Sequence, residues 1–323
     1  MCTAIKHKKN YFGRNLDLEF ELPFTKVVIT PRNYKLNLRA NNEQITMNHA
    51  IIGMAMVVDD YPLYYDAMNE KGLFVAGLNF DGYAKYFDIK NNFINITPFE
   101  LIPYILGSCS NVKEAKNLLN NVNLINISFN NKLPLSPLHW MMCDEDECIV
   151  IESTKNGLSI YDNPLKTLAN NPEFPYHLEN MNHYANLNPN QRVELYNENI
   201  KIISNGTGTT GLPGGLASQD RFVRACYTNS TSKCDDNEEA DVTQHFHTLK
   251  SVAQTRGTVI GHQSKYEITI YTNCYSSKTL SLYYNTYNNE RLTGFTLKDN
   301  KNVDSDKLTI YDLVEKQDIN WVK

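Results

Sequence analysis

Met1-Cys2-Thr3-Ala4-Ile5, a basic patch from Lys6 to Lys9, and then Tyr11-Phe12-Gly13-Arg14-Asn15-Leu16-Asp17 form the start of the chain. Residue 2 is small enough for Met1 to be removed during synthesis, which would leave a cysteine carrying both a thiol and a free α-amine. A thiol with a reference pKa of about 8.5 is only a few per cent thiolate at neutral pH, and it needs a base or a nearby positive charge. An α-amine titrates at about 7.7 to 8.0 and can take the thiol proton directly or through one water. Nucleophile and base would then be one residue, with the amine replacing the histidine of a conventional dyad, as in N-terminal threonine enzymes. Position alone does not separate a nucleophile from an incidental cysteine; the neighbours do. Tyr11-Phe12-Gly13 reads as a short strand, and Arg14 and Asp17 fall at its exit, where both can face back toward the first strand. A guanidinium near Cys2 favours thiolate, and a carboxylate can orient the amine. The plain alternative is a surface ion pair, worth little.

Met1-Cys2-Thr3 followed by Phe12-Gly13-Arg14-Asn15-Leu16-Asp17 resembles the start of the choloylglycine hydrolase family, the bile salt hydrolases and penicillin V acylases, which are N-terminal-nucleophile amidases. The resemblance implies an α+β fold, a four-layer α-β-β-α sandwich with two stacked antiparallel sheets. It also implies a homotetramer and a reaction that needs no metal or organic cofactor.

A chain of 323 residues with 41% hydrophobic content can bury a large core, and without a repeat, low-complexity tract or linker it reads as one domain over 1–323. The net charge of −5 supplies no global field for nucleic acid or an anionic membrane. No stretch approaches a membrane span and the start lacks a signal-peptide core, so the expected location is cytoplasmic. Seven cysteines in a long chain, an odd and sparse set, argue for free thiols in a reducing compartment. Cys143 and Cys148 flank an acidic turn without zinc-ligand spacing and read as strand-end packing residues.

Ala50 to Val58 is an apolar run of strand type, and Leu73 to Phe80 is a second strand that ends near Asn79. Thr97-Pro98-Phe99-Glu100 predicts a helix start with Thr97 as N-cap. Asn111 caps a second helix, with Val112, Ala115, Leu118, Leu119 and Val122 on its buried face. Leu138 to Cys143 and Cys148 to Ser153 predict a hairpin, followed by a turn at Asn156-Gly157. Helical pattern returns at Arg221 to Tyr227 and Val242 to Val252, and strands return at Glu267 to Tyr271 and Ser281 to Tyr284. Strands in hairpins, a helical middle, then helices and strands again suggest two antiparallel sheets with helices outside.

Amide hydrolysis needs donors aimed at the oxygen that becomes negative in the tetrahedral intermediate. Gly77-Leu78-Asn79-Phe80 and Ala169-Asn170-Asn171-Pro172 resemble the family segments that hold this oxyanion, which assigns Asn170 as a side-chain donor and Asn79 as a backbone donor. Bile salt hydrolases tend to carry asparagine at the position of Asn79, and many penicillin V acylases carry tyrosine. The glycine-rich loop from Asn205 to Gly215 is not a phosphate cradle, because no Gly-Lys-Ser/Thr follows. Gly211-Leu212-Pro213-Gly214 with Arg221 resembles the family segment whose arginine lies beside the nucleophile. Gly215 stands where an acidic residue is usual and Asp220 where a serine is usual, and an inward Asp220 would weaken the support of Arg221 for the thiolate. The rings of His245 and His247 diverge on a helix, so they do not form a metal site.

By position relative to the matched motifs, Leu16, Val58, Tyr65, Phe129 and Leu133 would line an apolar substrate cleft. The expected catalytic set is Cys2, Arg14, Asp17, Asn79, Asn170 and Arg221, cleaving glycine- or taurine-conjugated bile salts through a thioester. The rival readings are penicillin V acylase activity by the same chemistry, and a non-catalytic binder of amphipathic ligands in which Cys2 is never unmasked.

Overall fold

The computed structural model describes residues 1–19, 24–190, 205–261 and 264–322. Two large antiparallel sheets carry the chain. Among the described residues the first has six strands, in which β1 (Cys2–His7) pairs with β2 (Tyr11–Leu18), with Cys2 opposite Leu16 and Ala4 opposite Arg14. The second has eight described strands, including Ile51–Val58, Tyr61–Asn69, Phe74–Asn79 and the hairpin Leu138–Cys143/Cys148–Thr154.

Strand alternation sorts side chains into layers. From the first sheet, Cys2, Ala4, Phe12 and Leu16 pack inward on Met54, Met68, Phe74, Ala76, Leu78 and Met141 of the second, forming the inter-sheet core. On the far face of the second sheet, Val75, Trp140 and Ile151 pack with α1 (Leu101–Ser108) and α2 (Val112–Leu119). A short helix, α3 (Phe174–Asn180), follows. On the outer face of the first sheet, Ile5 and Tyr11 pack under α4 (Ser218–Thr231) and α5 (Glu238–Lys250). The order is helix, sheet, sheet, helix, the expected four layers. Gly13 permits a close approach: a Cβ there would stand 2.0 Å from the Asn273 carbonyl and 2.7 Å from His245 of α5. Among the described residues no helix is long and apolar enough to cross a membrane.

Local expectations fared unevenly. Asn111 caps α2, accepting the Glu114 N–H at 2.9 Å, but the helix stops at Leu119 and Val122 begins a short parallel strand pair. Thr97 is not an N-cap. The Glu100 carboxylate does accept from the Thr97 N–H at 2.7 Å, yet among the described residues the buried Thr97 hydroxyl has no partner, and the helix starts at Leu101. Only the reciprocal half of the capping pattern forms. Cys143 and Cys148 face each other across the hairpin as free thiols, and α5 buries His245 while exposing His247.

Candidate active site

Cys2 is buried on the inner face of β1, and the atoms around it come from four separate parts of the chain. Its backbone N–H donates to Asn170 Oδ1 at 2.7 Å. Arg221, on the first turn and a half of α4, donates to the same oxygen at 2.6 Å, to the Cys2 carbonyl at 2.5 Å and to the Thr3 hydroxyl at 2.6 Å. The other end of the Asn170 amide donates to the Asn79 carbonyl at 2.7 Å. Cys2, Asn170, Arg221 and Asn79 thus form one bonded cluster.

Backbone pairing explains why Asn79 is available. The strands Tyr61–Asn69 and Phe74–Asn79 pair from Met68↔Phe74 to Asp66↔Ala76 and then part. Phe80 donates to the Pro137 carbonyl on the opposite side, so the backbone groups of Gly77 and Asn79 point into the gap. Arg14 fills part of it, donating to the Gly77 carbonyl at 2.5 Å and the Tyr65 carbonyl at 3.4 Å.

Arg14 and Asp17 do not face the same way, contrary to expectation. The strand continues through both to Leu18, and residues three apart in a strand point to opposite faces. Arg14 lies in the inter-sheet space and Asp17 on the helix side, where its Oδ1 accepts the Thr269 hydroxyl at 2.6 Å. Burial pushes the Asp17 carboxyl up to about 6, against the lowering pull of Arg221, the amino terminus and Thr269. Burial pulls the Arg14 guanidinium down, but the charges of Cys2, Tyr271, Asp66 and Asp17 outweigh it and leave it raised. Arg221 is lowered by burial despite Asp17 and Cys2. Among the described residues, Arg14 Nη2 and Asp17 Oδ2 are buried with no protein partner, one on each face of the strand beside β1.

The Met1 ammonium donates to the Asp17 carbonyl at 2.8 Å and to the Glu267 carboxylate. The Asp17 N–H returns a bond to the Met1 carbonyl at 3.0 Å.

Several supports escaped the sequence reading. The 169–170 segment is pinned by His139 on the Ala169 carbonyl at 3.0 Å, His177 on the Asn170 carbonyl at 3.0 Å, and the Asn170 N–H donating to Ser218 Oγ at 2.9 Å. His139 is in turn 3.1 Å from Glu152, its direct partner in hairpin register. That pair was recoverable, since the register follows from the turn; Ser218 and His177 carried no local signal. Asp66 was also missed. It lies behind Arg14, its carboxylate accepting from Tyr271 at 2.5 Å, Asn273 at 2.6 Å and Tyr275 at 2.6 Å, and the signal was a charge inside an apolar strand.

Gly215 and Asp220 turn out to be one feature. A Cβ on Gly215 would stand 1.9 Å from an Asp220 carboxylate oxygen, and the charge of Asp220 acts on Arg224, not Arg221. The helix supplies a carboxylate where the loop has none. Arg221 and Arg224 also tie the loop down, donating to the Leu216 and Pro213 carbonyls, each at 2.9 Å.

An apolar cavity of about 160 Å³ adjoins this site through Gly77 and is lined also by Tyr65, Phe129, Leu133 and Leu138. Of the five expected lining residues, Tyr65, Phe129 and Leu133 are on its wall. Leu16 sits in the inter-sheet core opposite Cys2, and Val58, at the end of its strand, packs in the outer core away from the wall. A larger groove of about 660 Å³ between α5 and the later strands has a more polar wall and approaches the site through Thr269.

Residues 2–311 match the family described as linear amide C–N hydrolases, choloylglycine hydrolase family. A bile salt hydrolase/transferase of Lactiplantibacillus plantarum is 46% identical over 318 residues, 97% of each chain. A bile salt hydrolase/transferase of Clostridium perfringens is 34% identical over 331 residues, all of both chains. A crystal structure of a cysteine-to-alanine variant of the conjugated bile acid hydrolase from Clostridium perfringens superposes with a TM-score of 0.93 at 33% identity, covering 100% of both chains. The penicillin V acylase of Agrobacterium tumefaciens shares the fold, with a TM-score of 0.76 at 16% identity over 98% of this chain and 92% of that one. A match that begins at Cys2 and runs past Arg221 agrees with the amide-cleaving chemistry such a cluster can support, and the chain belongs to the choloylglycine hydrolase family of linear amide C–N hydrolases.

Proposed function

We propose that this protein hydrolyses the amide bond of glycine- or taurine-conjugated bile salts with Cys2 as nucleophile. The observation that carries the reading is the convergence of Cys2, Asn170, Arg221 and the Asn79 backbone in one hydrogen-bonded cluster beside an apolar cavity. Once Met1 is removed, the Cys2 nitrogen becomes an amine, and the Asn170 oxygen that now holds its N–H would aim its lone pair. The amine takes the thiol proton, and sulfur attacks the amide carbonyl. The Asn79 N–H and the second Asn170 N–H would receive the oxyanion, and the amine returns the proton to the leaving nitrogen as the C–N bond breaks. Water then cleaves the thioester, releasing bile acid and restoring the thiol. Arg14 and Arg221 would favour thiolate. Asp17 would orient the amine, and its backbone carbonyl, which now binds the Met1 ammonium, is one place for that amine to dock.

The names of the bacterial relatives support this substrate class, as does the apolar wall of Tyr65, Phe129 and Leu133, which suits the acyl part of an amphipathic amide. A cytoplasmic homotetramer is part of the same proposal. Trp321 and Val322 are 78% and 89% exposed, the kind of apolar surface an assembly would cover. The test is release of glycine and taurine from glycocholate and taurocholate beside phenoxyacetate release from penicillin V, using protein whose intact mass shows loss of Met1. Faster bile salt cleavage, abolished in Cys2→Ala and in protein retaining Met1, is expected. Preferential cleavage of penicillin V would overturn the substrate, and activity in Cys2→Ala would overturn the mechanism.

A further inference from the structure

At the other end of the strand that begins with Cys2, we propose that His7, Cys234 and Asp241 form a binding site for a divalent transition metal of the zinc class. One ligand atom from each lies within 4.8 Å of the others: Cys234 Sγ is 3.2 Å from Asp241 Oδ1 and 4.0 Å from His7 Nε2, and His7 Nε2 is 3.9 Å from Asp241 Oδ1. In a tetrahedral zinc site with bonds of about 2.0–2.3 Å, neighbouring ligand atoms stand about 3.3–3.6 Å apart, so only a contraction of about half an ångström along two edges is needed. His7 and Asp241 are buried, and Cys234 alone of the seven cysteines is half-exposed, which leaves a fourth position for water.

The layer behind the ligands is set for this role. Asn229 donates to the Lys6 carbonyl at 2.9 Å, which fixes its amide so that Oδ1 faces His7 Nδ1 at 3.1 Å. His7 then carries its proton on Nδ1 and presents the Nε2 lone pair to Cys234 and Asp241, the arrangement that orients metal-binding imidazoles. A cation already sits there: Lys8 Nζ is 2.5 Å from Asp241 Oδ1. Lys8 is 38% exposed and has the exposed Asp236 at 3.8 Å as an alternative partner, so a metal ion can displace its ammonium outward. Binding releases one proton, from the Cys234 thiol, and the ion is neutralised by the resulting thiolate and the Asp241 carboxylate. Thiolate with imidazole selects zinc-class ions over calcium or magnesium. The ligands come from the end of β1, the segment between α4 and α5, and the first turn of α5, so the ion would fasten the helical layer to the strand that carries the nucleophile.

Cobalt(II) reads the site directly. Full-length Cys2→Ala protein, which removes the active-site thiol from competition, is titrated with Co²⁺ near neutral pH. One equivalent should bind with a thiolate-to-cobalt charge-transfer band in the near ultraviolet, and Zn²⁺ should displace it and raise Tm. Adding Cys234→Ser should remove the band; adding Lys8→Met should tighten binding at least several-fold. Asp241→Asn, kept in case the serine variant misfolds, should retain the band and weaken binding about tenfold or more. Absence of the band at millimolar cobalt, or a band unchanged by Cys234→Ser, overturns the proposal, as does unchanged affinity in both Lys8→Met and Asp241→Asn.

Discussion

Arg221 donates at 2.6 Å to Asn170 Oδ1, the oxygen that also takes the Cys2 N–H at 2.7 Å. The acceptor end of the amide is thus engaged in holding the nucleophile, and the donor end faces the Asn79 carbonyl and the proposed oxyanion position. Asn170→Asp separates the two roles, since a carboxylate keeps the acceptor and loses the donors. The variant should remain folded with kcat reduced on the order of 10²-fold or more, the effect of a lost oxyanion donor. Single-turnover kinetics with a bile salt conjugate provide the check, and an unchanged kcat would remove the amide from the chemistry.

Asp17 makes stability depend on pH in a direction opposite to that of a salt-bridged carboxylate. Burial raises it from 3.8 to about 6, so the folded protein holds this proton more tightly than the unfolded chain does. Its contribution is most favourable below about pH 4, declines as pH rises, and becomes a full penalty above about pH 6. Asp17→Asn has no such proton to lose. The Tm of the variant minus that of the parent should therefore climb between pH 4 and 6, while kcat falls; a Tm difference that stays flat across this range would contradict the assignment.

Asp66 gathers three neutral donors and stands 3.9 Å from Arg14 Nε. Asp66→Ala would leave a buried guanidinium without its counter-ion and three polar groups without their acceptor, a loss of about 3–5 kcal/mol. Urea unfolding should show this as a lowered midpoint. Asp66→Asn, which keeps an acceptor, should lose less.

Leu133 is a half-buried residue of the cavity wall, so truncation removes apolar contact with an acyl group at little cost to the core. For Leu133→Ala the expectation is a KM several-fold higher for conjugated bile salts with kcat nearly unchanged, consistent with about 1–2 kcal/mol of lost apolar burial. Equal effects on kcat and KM would place Leu133 nearer the reacting bond than the cavity does.

Elements whose ends are written in local chemistry were legible. The Asn111 cap, the Leu138–Ser153 hairpin and the helical stretches within α4 and α5 all follow from short-range patterns, and so did the place of Cys2 on a first strand. The errors came where a long-range partner overrides the local pattern. Pairing with Cys2–His7 carries β2 past Gly13 to Leu16, pairing with Ile268–Ser276 carries it on to Leu18, and the continuous strand turned Arg14 and Asp17 to opposite faces. Thr97 lost its cap role because the chain ahead of α1 takes a turn around the Glu100 carboxylate, which also receives the Arg39 N–H at 2.7 Å. Ser218 and His177 matter only because folding brings them to Asn170, and no spacing rule connects such positions.

The parting of the Tyr61–Asn69 and Phe74–Asn79 strands gives the main chain, rather than side chains, a share of the proposed chemistry. A carbonyl at 77 exists whatever residue is encoded there, and an N–H at 79 exists for every residue except proline, so ordinary side-chain replacement cannot delete them while the fold survives. The side chain of Asn79 is under no such obligation. A lineage could exchange it to explore new acyl groups while the reacting apparatus stays intact, and substrate range could drift in a family whose bond-breaking step does not.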